Sequence, residues 1–462
     1  MLPEAFSKRI VSQSLPDPPG LLKALEEPSP VSIRINTSKW NREPVSSVRV
    51  PWCGDGRYLE SRPSFTLDPL FHAGCYYPQE ASSMFLEQVY KQTCGGIRNI
   101  KVLDLCGAPG GKSTHLSSLI GENGFLVANE VIRQRSMILA ENLIKWGESN
   151  FIVTQSDPSA CGRLEGFFDL LVVDAPCSGE GMFREIAVRS EWSPGNCVLS
   201  SDRQKRILID AWPALKDEGI LIYSTCTFNP AENEENISWF LSQNEAEPVR
   251  IDFSGFEGIT EIEHKGIFGY AFYPGKIRGE GFFISALRKN SGTKSQEKVV
   301  KSGAMKISSE EKNMVTRWTT LHEDRIIKMG EEIFAVPASM EDFNTLLGKL
   351  KIVRPGTSVF SRKGNNFLPS HDLALSVRLK KNQFPSVDLD LPDAISYLRR
   401  DIFKATFPER GWNLVTYKGI NLGFANNIGS RFNNYYPVEW RIRMRIGDND
   451  LKDIIVWDCI NK

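Results

Sequence analysis

Between residues 101 and 288 the chain alternates between two periodicities, and this constrains its fold more than any other feature. KVLDLC (101–106), GFLVANE (124–130), FIVTQ (151–155), FDLLVVDAP (168–176) and GILIYSTC (219–226) are short apolar runs rich in β-branched residues. Between them lie KSTHLSSLI, VIRQRSMILAENLIKW and SSDRQKRILIDAWPAL, whose apolar residues recur at helical spacing. Buried apolar strands alternating with amphipathic helices predict an α/β unit with a mostly parallel sheet. YAFYP (270–274) and GFFISALRK (281–289) add two strands with no helix between them, which predicts a hairpin closing the sheet edge.

The 462 residues exceed one such unit, so two or three domains are expected. Residues 1–75 mix Pro-rich stretches with short alternating segments such as VSIRINTSKW, residues 289–302 are polar enough for a linker, and 303–462 carry apolar and aromatic clusters of their own. With 41% hydrophobic and 24% charged residues the composition is that of a globular protein. Lys plus Arg and Asp plus Glu number 56 each, which excludes a chain basic throughout but leaves room for a local basic face. The N-terminus lacks an apolar stretch after a basic start, and no run approaches bilayer-spanning length, so a cytoplasmic location without membrane contact is expected. The nine cysteines form no CxxC pair, so neither a zinc site nor a disulfide framework is expected, and no metal is assigned.

LDLCGAPGGKSTHL (103–116) reads as strand, glycine turn and helix. Gly107, Gly110 and Gly111 let the backbone turn sharply and approach a ligand, and the helix presents free N–H groups behind them. A Walker A loop is excluded because Gly107 stands one residue too close to Gly111-Lys112, and the GxGxxG dinucleotide fingerprint is absent, which disfavours a hydride-transferring enzyme. Glu130 ends the next strand, where a carboxylate can accept both ribose hydroxyls; Asp157 follows the third strand and Asp174 ends the fourth. Any one of these acids is as well explained as a loop cap. Together with the turn they favour an adenosine-bearing ligand at the carboxyl edge of the sheet.

Cys177 in VVDAPCSGEG and Cys226 in IYSTCTFNP lie on that same edge. A buried free cysteine is usually a small packing residue, yet both sit in polar turn sequence beyond a strand. Such a thiolate suits chemistry on a pyrimidine. Carbon 5 of cytosine is a poor nucleophile until a thiolate adds at carbon 6, after which it can take a methyl group from a sulfonium. Asp174 is placed to assist at ring N3, and a base must then remove the carbon 5 proton; the sequence supplies no obvious histidine for that step, since the one nearest these strands, His115, is on the helix after the glycine turn.

CGAPGGK (106–112), DAPCSGEG (174–181) and STCTFNPAENEEN (224–236) resemble motifs I, IV and VI of the Nop2/Sun family of RNA cytosine-5 methyltransferases, and SIRINTSKW (32–40), YYPQEASSMF (76–85) and GFFISALRK (281–289) resemble its flanking motifs. The resemblance implies a Rossmann-like, seven-stranded core of the class I type dependent on S-adenosyl-L-methionine, spanning 76–288 behind an RNA-binding extension at 1–75. It implies that Cys226 is the covalent nucleophile and that Cys177 assists product release. Cofactor contacts carry over to Cys106, Gly107, Ala108, Pro109, Gly110, Gly111, Lys112, Glu130, Asp157 and Asp174, with Lys112 also near the target base. Motif I usually has alanine where this chain has Gly107, a departure that a turn tolerates.

The segment 394–445 holds nine Lys or Arg against three Asp or Glu, interleaved with Tyr435, Tyr436 and Trp440, which suits phosphate contact and base stacking as well as it suits a packed core. Residues 423–445 resemble the C-terminal module of RsmF-type bacterial small-subunit rRNA methyltransferases, which implies a PUA-like RNA-binding domain in 303–462. The expected partner is therefore rRNA, within or outside the small subunit, and the expected state is a monomer. A tRNA substrate and a non-catalytic RNA-binding assembly protein are the alternatives.

Overall fold

Ten strands form the central sheet: β1 (Lys101–Asp104), β2 (Phe125–Asn129), β3 (Phe151–Thr154), β4 (Phe168–Asp174), β5 (Leu215–Thr225), β6 (Ala246–Val249), β7 (Ile259–His264), β8 (Ile267–Phe272), β9 (Phe282–Lys289) and β10 (Ile352–Arg354). The computed structural model describes residues 1–122, 124–290, 307–380, 382–447 and 450–458, so most of the expected linker and Cys459 lie outside the described residues. The order is β7-β8-β9-β5-β4-β1-β2-β3-β10, with β6 paired to β9. β1 to β5 are parallel, and the chain reverses direction across the sheet between β1 and β4, which opens a crevice at their carboxyl ends.

Side-chain alternation explains why these runs are apolar at every position. Val102, Leu126, Val172 and Ile222 face one core, whereas Leu103, Val127, Val173 and Leu221 face the other. The amphipathic segments form α1 (Gly111–Ile120), α2 (Arg133–Trp146), α3 (Pro194–Ala211) and α4 (Glu234–Gln243), which cover these faces. α2 stops at Gly147, whose N–H still donates to the Leu143 carbonyl as in a helix while its left-handed backbone turns the following chain away.

The seven expected strands are present, but the β8–β9 hairpin does not close the edge. β7 pairs outside β8, and at the opposite edge β10 adds antiparallel to β3. The central sheet thus recruits a strand from beyond residue 303.

The N-terminal residues form a separate antiparallel sheet of Val48–Arg49, Gly56–Leu59, Val31–Ile35 and Tyr76–Pro78. It is bolted to the core by buried Arg34. Its guanidinium lies 4.3 Å over the Trp146 ring and donates to Gln79 Oε1 at 2.9 Å and Thr114 Oγ1 at 2.6 Å. Burial pushes the pKa of Arg34 down to about 10, so it stays charged near neutrality. Two further four-stranded sheets occupy the C-terminal part. Tyr397, Val415, Tyr436 and Trp457 there share one apolar core with Ile33, Trp40 and Tyr76 of the N-terminal part, so the two ends of the chain stabilise each other. Among the described residues, no helix is long and apolar enough to cross a membrane.

Candidate active site

The turn after β1 is held from both sides. The Gly107 N–H donates to Asn129 O at 2.8 Å, tying it to β2, and Gly110 takes φ +123° to start α1. Ser113 Oγ donates to Asp104 Oδ2 at 2.6 Å. A Cβ on residue 107 would stand 2.6 Å from that hydroxyl, which gives the glycine a local steric reason. Burial raises Asp104 to about 7, and its second oxygen has no hydrogen-bond partner among the described residues.

Glu130 follows β2 and is almost fully buried. One of its oxygens accepts from Ile132 N at 2.9 Å and the other pairs with Arg135 at 3.2 Å. Arg135 also donates to Ala108 O at 2.8 Å, so the acid and the glycine turn share one brace. Asp157 differs: it is exposed and caps the short helix Pro158–Gly162, accepting from Ser159 N and Oγ at 3.0 and 2.8 Å. Those bonds hold its pKa below the usual carboxylate value. Cys106, Ala108, Glu130, Asp157, Asp174 and both turn cysteines line one cleft of about 930 Å³. Its apolar walls include Val131, Ile132 and Pro158. Apolar walls for a planar base and a buried carboxylate, Glu130, after the second strand are features that an adenosyl ligand requires.

β4 and β5 bring the reactive groups together at the cleft mouth. Asp174 pairs with Lys112 Nζ at 2.9 Å and accepts from Ser224 Oγ at 2.7 Å. Burial alone would lower the Lys112 pKa; Asp174 overrides it and raises the pKa, so the ammonium persists. Cys177 Sγ lies 3.2 Å from Cys226 Sγ, well beyond an S–S bond of about 2.05 Å. Both are free and partly exposed. Cys177 Sγ also accepts from Cys226 N at 3.3 Å. The hydrogen bond with Cys226, then burial, raise the Cys177 pKa well above that of an ordinary thiol. The two turns are laced further by Ser178 Oγ to Thr227 Oγ1 at 2.8 Å and by Gly181 N donating to Cys226 O at 2.8 Å.

His115 is not part of this group. It is buried against the N-terminal sheet, with Nε2 3.1 Å from Glu87 Oε2 and 3.9 Å from Cys53 Sγ, and burial lowers its pKa to about 4. Cys53, Glu87 and His115 are the one trio among the described residues whose ligand-type atoms approach closely enough for a metal, and they are bonded to one another. Sequence reasoning also passed over Ser224, Arg135 and buried Glu232. Glu232 lies in the acidic run NPAENEEN, which gives no sign of which acid turns inward.

A second groove of about 1350 Å³ lies in the C-terminal part, with Arg400, Lys404, Phe407, Arg431 and Tyr435 in its lining. The three interleaved aromatics divide. Tyr435 is exposed, whereas Tyr436 is fully buried in the shared core and Trp440 packs edge-on to His371 at 5.1 Å. Arg441, Arg443 and Arg445 are exposed.

Three family models match the chain: the N-terminal domain of 16S rRNA methyltransferase RsmF at residues 2–81, 16S rRNA methyltransferase RsmB/F at 97–288, and the methyltransferase RsmF PUA domain at 384–442. The chain is 30% identical to the ribosomal RNA small subunit methyltransferase F of Klebsiella pneumoniae (strain 342), over 90% of this chain and 91% of the relative. It is equally similar to the protein of that description from Aliivibrio fischeri (strain MJ11), over 95% and 97%. Among solved structures, a methyltransferase homolog protein from Pyrococcus horikoshii superposes with a TM-score of 0.52 at 29% identity, covering 62% of this chain and 95% of that one. NSun6 from the same organism shares the fold, with a TM-score of 0.53 at 20% identity, covering 63% and 99%.

Proposed function

The chain belongs to the RsmB/F family of 16S rRNA methyltransferases, and from that membership we propose that it methylates carbon 5 of a cytidine in 16S rRNA through a covalent bond from Cys226. The observation that carries this reading is the apposition of two free thiols, 3.2 Å apart, beside the Lys112–Asp174 pair at the mouth of a cleft suited to an adenosyl ligand.

S-adenosyl-L-methionine, when bound, supplies a methyl group on a positively charged sulfur. Glu130 would hold its ribose, the 106–111 turn would approach its polar tail, and the carboxylates of the cleft, Asp157 included, would complement its positive charge. The protein's own groups prepare the pyrimidine. The Cys226 thiolate adds to carbon 6, and the Lys112–Asp174 pair stabilises charge at ring N3, with Lys112 carrying the transferable N–H. Once carbon 5 is methylated, its proton passes to water, the electrons of that C–H bond re-form the ring double bond, and the Cys226 thiolate leaves carbon 6. Cys177 lies within proton-transfer reach of the departing sulfur and assists that release. The C-terminal groove and the exposed arginines beyond it bind rRNA phosphates around the target.

The test is incubation of the full chain with labelled donor and either 16S rRNA or small subunits, followed by nucleoside mass spectrometry. Methylated product in the form of 5-methylcytidine supports the reading. Methyl transfer to any other position of the RNA sinks it.

A further inference from the structure

Two cysteines in contact, with different jobs, must be made unequal by their surroundings. The turn that carries Cys177 rests on a buried carboxylate. Glu232 Oε2 accepts from Ser178 N at 2.8 Å, Glu232 Oε1 accepts from Ser178 Oγ at 2.6 Å, and Gln204 of α3 donates to Oε2 at 3.1 Å. Glu232 is fully buried and no cation is bonded to it among the described residues, an unfavourable arrangement unless its charge is used or its proton retained. On the other side, Lys112 is held by Asp174 at 2.9 Å, and Cys226 is among the groups that favour its ammonium form. The turn of Cys177 thus rests on a carboxylate through Ser178, while the ammonium that interacts with Cys226 is itself held by Asp174.

We propose that Glu232 is the positioning residue that makes these cysteines unequal: it fixes the Cys177 turn and keeps the shared proton on Cys177, leaving Cys226 as the nucleophile. This rests on the reading of Cys226 as the covalent residue and names what selects it. Of the pair's two thiol protons, the one on Cys226 goes to water when the thiolate forms. The one on Cys177 stays and is donated across the 3.2 Å contact. A carboxylate next to a thiol opposes its ionisation, and an ammonium favours it. The hydrogen bond with Cys226 and then burial do most to raise Cys177, and Glu232 adds to that displacement, whereas Cys226 favours the ammonium form of Lys112. The other ionisable groups around the pair are Glu180 on the Cys177 turn, Cys197 on α3, and Tyr223 and Asp174 on the strand ends. Glu180 is committed to Arg9, Trp192 Nε1 and Phe228 N, so Glu232 is the anion free to act on Cys177.

The test is alkylation of the intact full chain by iodoacetamide, with peptide mass mapping of Cys226 against Cys177. In the wild type Cys226 reacts faster, by about tenfold or more. Glu232→Gln, which keeps the shape and removes the charge, brings the ratio towards one and lowers kcat while the KM for the methyl donor holds. Ser178→Ala removes one bond to Glu232 and raises its pKa further, so compared above about pH 8, where the carboxylate is again charged, it keeps the wild-type ratio. A wild-type ratio in Glu232→Gln overturns the proposal, as does an equal loss in both variants, because that is what a purely structural anchor gives. If Glu232→Gln does not fold, the wild type decides. Burial raises Glu232 to about 7, so selectivity falls as pH is lowered through neutrality; a ratio constant between about pH 6 and pH 8 overturns the proposal. Failure of the underlying reading is separate: Cys226→Ala would then still methylate RNA, whatever the alkylation ratio.

Discussion

The central cleft and the C-terminal groove are both large, but they are made of different material. In the central cleft the polar groups sit at strand ends and are bonded mainly to one another: Asp174 to Lys112 and Ser224, Ser178 to Glu232 and Thr227, Glu130 to Arg135. In the groove, Lys404, Arg431 and Tyr435 stand exposed on largely irregular backbone, and the apolar residues beneath them belong to the core shared with the N-terminal sheet. Preorganised groups cost no rearrangement at the moment of reaction, whereas phosphate contacts tolerate adjustment and add roughly independently. Substitutions of these mutually bonded groups should therefore be severe and specific. In the second they should be graded and dependent on salt.

The largest effect expected is from Cys226→Ala, which should lower methyl transfer by about 10⁴-fold or more while RNA affinity, measured by filter binding, stays within about twofold. Cys177→Ala should slow turnover by about 10²-fold or more and leave a protein–RNA band on denaturing gels. Such a band from the Cys226 variant instead would reverse the two roles. Glu130→Ala should weaken donor binding by roughly 10- to 100-fold in calorimetry, since it removes the buried carboxylate at the ribose position and leaves Arg135 unpaired. In the groove, Lys404→Glu with Arg431→Glu should weaken RNA binding by about tenfold. It should reduce the slope of log affinity against log salt by about two contacts and leave donor affinity unchanged. An effect on kcat at saturating RNA would break the contrast between the regions. Asp157→Ala should do least, about threefold or less in KM for the donor, because its carboxylate is exposed and already serves as a helix cap.

Point changes test the groove better than truncation does. Removing residues 303–462 would strip β10 from the central sheet and expose Ile33, Trp40 and Tyr76, so reduced RNA binding would follow from lost packing as readily as from lost contacts.

What the sequence made legible depended on range. The parallel strands, the glycine turn and the two cysteine turns follow from local periodicity and spacing, because buried strands must be apolar on both faces. β10 could not be read, since Ile352–Arg354 is three residues long and is a strand only because β3 lies beside it. Glu130 and Asp157 look alike in sequence, each an acid just past a strand, yet one is buried and braced by Arg135 while the other faces solvent. Tyr435 and Tyr436 are adjacent and identical, and only tertiary packing sends one outward and the other into the core. Glu232 was hidden for the same reason, among acids that differ only in the direction they face.

The central claim is that the sulfur of residue 226 bonds to the target ring. A 16S transcript carrying 5-fluorocytidine has no removable proton at carbon 5, so an adduct that forms cannot resolve. Incubation with the full chain and donor, followed by nuclease and protease digestion and mass spectrometry, should find the methylated fluoropyrimidine on the peptide containing Cys226. Finding it on the Cys177 peptide, or finding methylated RNA from the unsubstituted transcript and no adduct from the fluorinated one, would contradict the account.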